Sequence, residues 1–342
     1  MSVRVAFMGF RHPHVYTILG FIETHDGYVL AGTCEEDEDT RRELLQTGKV
    51  TLTHDSYDAL LNEGDFSILI VGDYFARRGQ IIARALEAGK HVLSDKPICT
   101  SLSELETIEE LAMRKELRVG VLLELRYEGK FITTRELVQR GEIGEVHSII
   151  FGGQHPLLLD KRPRWYYEEG KQGGTINDLA IHAVDVITWI TGRRFTHVNG
   201  AREWNAGLPQ YPHFRNAAQL MLSLENECGV LGDLTYISPD SFGYGFPLYW
   251  RFTFWGEEGV VETGYNYDGV ILYRNGRREA QHIPPAPTVE GGALKSLLKL
   301  IDGSTLLPID YSQQDIFRSS RICLKAQEAA ASRDALSIEG LI

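Results

Sequence analysis

The sequence predicts an α/β protein of two domains: an N-terminal doubly wound parallel sheet, then an α+β domain with a large, mainly antiparallel open sheet. Three observations predict this. The 342 residues exceed what one core usually serves. Over the first 120 or so residues, apolar runs alternate with amphipathic segments, the pattern of a parallel sheet covered on both faces. After about residue 125, aromatic and β-branched runs broken by Gly and Asn-Gly turns take over. The domains are expected at 1–124 and 125–342, with a last helix at about 312–332 placed to pack back on the first.

Element by element, "VRVAFMG" reads as a strand and "HVYTILGFIETH" as a helix. "YVLAGTC" is the next strand, and "DEDTRRELLQT" a helix with acids in its first turn, where the dipole favours them. "FSILIVG" is a continuous apolar strand; "RRGQIIARALEAGK" is an amphipathic helix closed by Gly89. "HVLSDKP" is a strand ending at Pro97, "SLSELETIEELAMRKE" starts on a serine cap, and "RVGVLLEL" is a strand. Then the rhythm changes. "FITTRELVQRG" is helical, "EVHSIIFGG" is a strand, and "INDLAIHAVDVITWITG" is a long helix. Strands follow to about residue 283, "PPAPT" interrupts them, and helices at about 290–301 and 312–332 finish the chain.

The net charge of -12 disfavours nucleic acid and anionic membrane as partners. No apolar run approaches the roughly 20 residues of a membrane span, and the N-terminus enters a strand without a signal-peptide pattern. Cys34, Cys99, Cys228 and Cys323 are scattered and lack metal-type spacing, as suits reduced thiols. A cytoplasmic protein is expected.

Three stretches carry chemistry. The first is "GFRHPHVY", residues 9–16, where a nucleotide-cradling glycine turn would follow the first strand. Here one glycine precedes an arginine and two histidines. The acid a little over 20 residues on, Glu35 in "LAGTCEEDED", stands where a ribose-binding carboxylate ends a second strand. The acidic cluster makes NADP less attractive than NAD. The second stretch is "GKHVLSDKP", which puts Lys96 at the carboxyl end of a parallel strand, where ligands bind in open α/β sheets. The third is "GGTINDLAIHAVD". Helical spacing puts Asp178 and His182 one turn apart, with Asp185 a further turn along. A histidine exchanges protons near neutral pH, and an acid one turn away orients it. Carboxylate and imidazole at this spacing also ligate zinc, but no recognisable third ligand pair stands nearby, so no metal is expected.

Together these stretches resemble the glucose–fructose oxidoreductase / inositol dehydrogenase / MocA (Gfo/Idh/MocA) family of NAD(P)-dependent oxidoreductases. "ALEAGKHVLSDKP", "RYEGKFITTRELVQRGEIGEVHSI" and "GGTINDLAIHAVDVITWITG" carry the resemblance, which spans nearly the whole chain. It implies a Rossmann-like N-terminal domain and a C-terminal domain whose open sheet forms a homo-dimer or homo-tetramer. It implies a catalytic lysine at Lys96, where the family's Glu-Lys-Pro reads Asp95-Lys96-Pro97, and an acid and histidine at the substrate at Asp178 and His182. Ala180 stands where glycine is usual.

The chain departs from the family in its first turn, G-x-G-x-x-G, where only Gly9 remains and Arg11 and His14 take the other glycine places. A phosphate held by the Arg11 guanidinium, with amides of the helix N-terminus behind it, is the expected remedy. Arg78 replaces the histidine of an A-T-P-x-x-x-H segment. The expected cofactor contacts are Gly9, Phe10, Arg11, His12, Glu35, Asp73 and Lys96. The expected substrate contacts are Arg126, Tyr127, Arg164, Trp165, Asp178 and His182.

The resulting expectation is an NAD-dependent dehydrogenase of a sugar, inositol or other polyol. His182 takes the hydroxyl proton, Lys96 holds the substrate oxygen, and Asp178 orients His182 or binds a hydroxyl. The alternative is a ligand-binding or regulatory protein that has lost redox activity. A metal-dependent hydrolase or lyase using His12, His14 and His182 ranks last.

Overall fold

The computed structural model describes residues 2–332 and the backbone of 336–337. The chain divides into two compact units, residues 1–123 with 290–317, and residues 124–289 with 318–342. Residues 290–317, given to the second domain from sequence, thus cluster with the first.

The first unit is built on five strands: β1 (Val3–Met8), β2 (Tyr28–Cys34), β3 (Ile68–Val71), β4 (His91–Ser94) and β5 (Val119–Val121). Their order is β2-β1-β3-β4-β5, all parallel. The apolar runs are buried as expected, with Val5 to Met8 and Leu69 to Val71 without exposed surface. Helices α1 (His14–Thr24), α2 (Glu38–Thr47), α3 (Tyr57–Glu63), α4 (Phe75–Glu87) and α5 (Leu102–Arg114) connect them. Capping fixes their starts: Asp37 accepts from Thr40 N, Ser56 from Ala59 N, and Ser101 from Glu104 N. The short α3 is not evident from sequence. Gly120 of β5 has no side chain to spare, because a Cβ there would lie 2.6 Å from the Tyr311 hydroxyl. That hydroxyl donates to Ala293 O at 2.6 Å, fixing the segment around residues 292–302 onto this unit.

The strand order reverses between β1 and β3. At such a point the chain leaves the sheet in opposite directions, and a crevice opens at the carboxyl ends of the strands. Two turns meet there. Arg11 N donates to Gly72 O at 3.0 Å and Gly72 N to Met8 O at 2.9 Å.

The second unit carries α6 (Gly129–Gln139), β6 (Val146–Pro156), α7 (Ile181–Thr191), β7 (Phe195–Trp204), β8 (Ala217–Leu224) and β9 (Gly229–Ser238). Then come β10 (Trp250–Gly256), β11 (Gly259–Gly264), β12 (Val270–Arg274) and β13 (Gln281–Ile283). Two more helices, α8 (Gly292–Asp302) and α9 (Gln313–Ser332), and a two-residue strand, β14 (Leu336–Ser337), complete the chain. The sheet has nine strands in the order β13-β12-β11-β10-β6-β9-β8-β7-β14. It is antiparallel except for β6 and β9. One face buries Phe151, Phe252, Phe254, Leu222 and Val230, and Phe131 of α6 meets Phe252 edge to face at 5.3 Å. β7 escapes a sequence reading because "FTHVNGAREW" lacks clean alternation; two shifts in its register with β8 break the period. The expected single helix 176–192 is a π-helical turn, Ile176–Ala180, running into α7.

Arg126 corrects an expectation. It is 2% exposed, its Nε donates to Asp185 Oδ2 at 2.9 Å, and a second guanidinium nitrogen pairs with Oδ1. The pair satisfies both groups inside the second unit, so Arg126 is a structural cation rather than a substrate contact. Tyr127, 2% exposed, is also core. Replacing Arg126 with methionine takes the guanidinium away from the buried Asp185 carboxylate. The expected loss is about 3–5 kcal/mol, read by urea unfolding, and most of it returns in the double variant that also makes Asp185 leucine.

Candidate functional site

The turn after β1 is set by Gly9, with φ +85°; a Cβ there would stand 2.5 Å from Asp73 N. Its amide donates to Cys34 O at 3.0 Å. Only glycine meets both demands, a left-handed backbone and a close approach of the β3 turn. Pro13 then caps α1 with no side-chain hydrogen bond to the helix amides, which leaves the N-terminal amides of α1 without a capping acceptor from that residue.

Around this turn the expected cofactor contacts are mostly turned inward. Glu35 has no exposed surface, and its carboxylate accepts from Phe10 N at 2.7 Å and Asp37 N at 2.8 Å. It ties β2 to the β1 turn and does not present an oxygen to a ribose. The acid with surface at this point is Asp37, its side chain 31% exposed. Asp73 is buried too: Tyr74 N donates to Oδ1 at 2.7 Å and the Tyr57 hydroxyl to Oδ2 at 2.8 Å. Phe10 is core, stacked on Phe7.

Arg11 behaves differently from the expectation as well. Its guanidinium pairs with Asp37, lies 3.2 Å from Asp73 Oδ1 and 3.8 Å from Glu35 Oε1, and covers the Tyr74 ring at 5.0 Å. The side chain is 8% exposed. A guanidinium spent on three carboxylates is a counter-charge to the acids ending β2 and β3, not an arm extended to a phosphate.

The two histidines converge on one buried acid. His12 Nδ1 is 2.5 Å from Asp95 Oδ2, and His14 Nδ1 is 2.9 Å from Oδ1. Arg78, with no exposed surface, donates to Asp95 Oδ2 at 3.0 Å, to Asp73 O at 2.8 Å, to Pro97 O at 3.2 Å and also to Lys96 O. The Lys96 amide donates back to Asp95 Oδ1 at 2.8 Å. Asp95-Lys96-Pro97 is thereby gripped by one guanidinium, and the Lys96 ammonium lies 5.8 Å from the Phe75 ring centroid. Burial works against ionising Asp95, but His12, Arg78 and His14 outweigh it and hold its carboxyl well below the usual range. Burial pushes the His12 imidazole down to about 3, so it is neutral at physiological pH.

In the second unit, Gly173 and Gly174 take φ +77° and +104°, and a Cβ on Gly174 would sit 2.0 Å from Gln327 Oε1. They admit the π-helical turn that carries Asp178. The Asp178 carboxylate accepts from the Tyr236 hydroxyl and from Gln172 Nε2 at 3.5 Å. His182, 7% exposed, meets the Trp250 ring edge at 5.5 Å. Arg162 lies 4.7 Å from the centroids of both Tyr166 and Tyr236 and donates to Pro156 O and Leu157 O. Its positive charge is felt together with Asp178. His155 packs against Tyr236, Tyr249 and Trp250.

Sequence reading singles out Asp178 and His182; the structure adds Tyr236 and Gln172 as partners of Asp178, with Arg162 against Tyr236. Sequence reading chose the neighbours Arg164, which is exposed, and Trp165, which is 5% exposed and stacked on Tyr166. No spacing rule links residue 236 to residue 178; only the sheet brings them together. In the first unit the missed groups are Asp95 and Arg78, whose signal was their place next to Lys96 and in the segment after β3.

A doubly wound sheet with a glycine turn at its switch point, and a lysine closing a neighbouring strand, defines a dinucleotide-binding oxidoreductase domain. The chain belongs to the GFO/IDH/MocA family: residues 3–123 match its "Oxidoreductase family, NAD-binding Rossmann fold" domain and residues 131–262 its C-terminal domain. Among relatives, it is 26% identical to an inositol 2-dehydrogenase of Paenarthrobacter aurescens over 61% of this chain and 58% of that one. It is 26% identical to a D-xylose dehydrogenase of Paenarthrobacter nicotinovorans over 44% and 40%. The chain spans about half the length of the curated relatives it matches. A putative oxidoreductase structure from Erwinia carotovora is 25% identical, with a TM-score of 0.84 over 96% of this chain and 99% of that one. A myo-inositol 2-dehydrogenase from Lactobacillus plantarum shares the fold at 16% identity, TM-score 0.77, over 99% and 100%. No helix among the described residues is long and apolar enough to cross a membrane.

Burial pushes the Glu35 carboxyl up to about 7, against the lowering by its two backbone donors. Between the ordinary carboxyl range and pH 7 the native state therefore keeps a proton that the unfolded chain has lost. Stability falls as pH rises through that window, by up to about 3 kcal/mol from this group. Urea unfolding between pH 4.5 and 8 is expected to show this slope, and Glu35→Gln to flatten it.

Proposed function

We propose that this chain is an NAD-dependent oxidoreductase acting on a secondary alcohol of a sugar, inositol or related polyol. The observation that carries the reading is the hold of Arg78 on Asp95-Lys96-Pro97. One buried guanidinium thus fixes the backbone that carries Lys96. The fit of a dinucleotide rests on the first turn. Gly9 keeps its left-handed backbone, and the amides opening α1 remain behind it. Gly9, Arg11 and His12 border the pyrophosphate place by their main chain, and Asp37 replaces Glu35 as the acid facing the ribose. Glu36 and Asp37, both partly exposed, repel a 2′-phosphate and favour NAD over NADP. A nicotinamide, when bound, supplies the hydride acceptor at its carbon 4.

The chain's own residues do the rest. His182 takes the hydroxyl proton. Lys96 is the cation that stabilises negative charge growing on a substrate oxygen. Tyr236 and Gln172 hold Asp178, which orients His182 or binds a substrate hydroxyl. Arg11 gives weight to a second reading, a ligand-binding protein without redox activity, because it spends the cation expected at the phosphates on Glu35, Asp37 and Asp73.

Lys96→Ala is expected to lower turnover at least about a thousandfold with an unchanged melting curve, and His182→Ala by about a hundredfold or more. Reduction of NAD across a panel of polyols and sugars, followed at the nicotinamide absorbance, measures both. Full activity of Lys96→Ala sinks the mechanism. Failure of NAD(H) and NADP(H) alike to raise the melting temperature selects the second reading.

We also propose that the chain forms a homo-oligomer through the open face of its second sheet. Met221, Leu231 and Ile150 form one cross-strand row there, each at least 40% exposed. They border a hollow of about 420 Å³ with Arg202 and Asp233. Leu231→Glu is expected to convert the oligomer to monomer in light scattering at micromolar concentration; an unchanged mass rejects this surface.

A further inference from the structure

The side chains of the two histidines in the first turn have no part in the proposed chemistry. They come from positions 12 and 14, two apart on a turn entering α1, and their rings meet edge to face at 4.4 Å. Asp95 comes from the end of β4, two strands away from β1. One ligand atom from each of the three lies within 4.8 Å of the other two.

We infer that His12, His14 and Asp95 form a binding site for a divalent transition metal, zinc by ligand type. Two imidazoles and one carboxylate suit zinc and its neighbours and do not suit magnesium or calcium, which take oxygen ligands. Zinc bonds of about 2.0–2.1 Å place tetrahedral ligand atoms about 3.3 Å apart. The Nδ1 atoms stand 2.5 and 2.9 Å from the Asp95 oxygens. Each histidine meets a different oxygen of one carboxylate, so both imidazoles and the acid already converge on one small space.

The surroundings are those of a built site. Metal-binding carboxylates are usually fixed by outer hydrogen bonds, and here Arg78 and the Lys96 amide fix Asp95. His12 and Asp95 are buried, while the His14 side chain is 33% exposed and gives a path of approach.

Charge decides what completes the coordination. Arg78 already balances Asp95, so an arriving dication finds no uncompensated carboxylate charge. It is stable there only with an anion in its fourth position, either hydroxide or an ionised oxygen of a ligand. Three protein ligands and one open position is the arrangement of catalytic zinc.

The test uses the full chain, stripped with chelator and titrated with zinc chloride, then with cobalt(II) chloride. The expected results are one zinc per chain by elemental analysis, a raised melting temperature, and the visible cobalt bands of a four- or five-coordinate site. His14→Ala and the milder His14→Gln are each expected to weaken binding at least about tenfold. Two variants at the exposed histidine keep the test valid if one folds poorly. Less than a tenth of an equivalent bound at micromolar zinc overturns the proposal. So does one equivalent whose affinity is the same in wild type and both variants, because the metal is then elsewhere. Metal content is measured without turnover, so the result is independent of the oxidoreductase reading.

Discussion

The first unit depends on one buried interaction, the Arg78 guanidinium against Asp95. Neither side chain has exposed surface, so both charges are fully desolvated. Such a pair holds together only when its remaining donors and acceptors are satisfied. Here they are. Arg78 spends its other hydrogens on the carbonyls of Asp73, Lys96 and Pro97, and Asp95 receives His12, His14 and the Lys96 amide. One residue of α4 thereby joins the ends of β3 and β4, and Asp95 joins both to the turn after β1.

A second charge balance lies at the same strand ends. Glu35, Glu36, Asp37 and Asp73 cluster after β2 and β3. Arg11 meets three of these acids, and Arg77 bonds Asp73 and Glu36. Glycine at position 11 would leave those carboxylates facing one another with one fewer cation. Arg11 in place of the family's second glycine is thus coupled to the acids around it. Losing bare backbone at the turn and gaining a buried ion network are one change.

How much the sequence discloses depends on the kind of signal. The parallel sheet was readable because strands buried on both faces are mostly apolar, as β3 is throughout and β1 is from Val5 to Met8. β7 was not, because a half-exposed strand with register shifts keeps no strict period. Lys96, Asp178 and His182 were readable because each sits in a local segment of recognisable spacing. Glu35 was misread for the opposite reason. Its position after β2 is right for a ribose ligand, but its burial comes from Phe10 and Asp37 amides brought in by the fold. Arg126 was misread likewise, since its partner Asp185 lies 59 residues away.

The sequence by itself determined the two-domain α/β architecture and the family, and it singled out Lys96, Asp178 and His182 as candidates. These follow from periodicity and from motifs a few residues long. Only the tertiary structure decided which charges are spent and which remain available. Arg11, Glu35, Asp73 and Arg126 are all occupied by partners distant in the chain, and His12 and His14 share an acid from another strand. Coulomb attraction and desolvation act through space, and the ion-pair partners of Arg11, His12, His14 and Arg126 lie 24 to 83 positions away, beyond what any local pattern records.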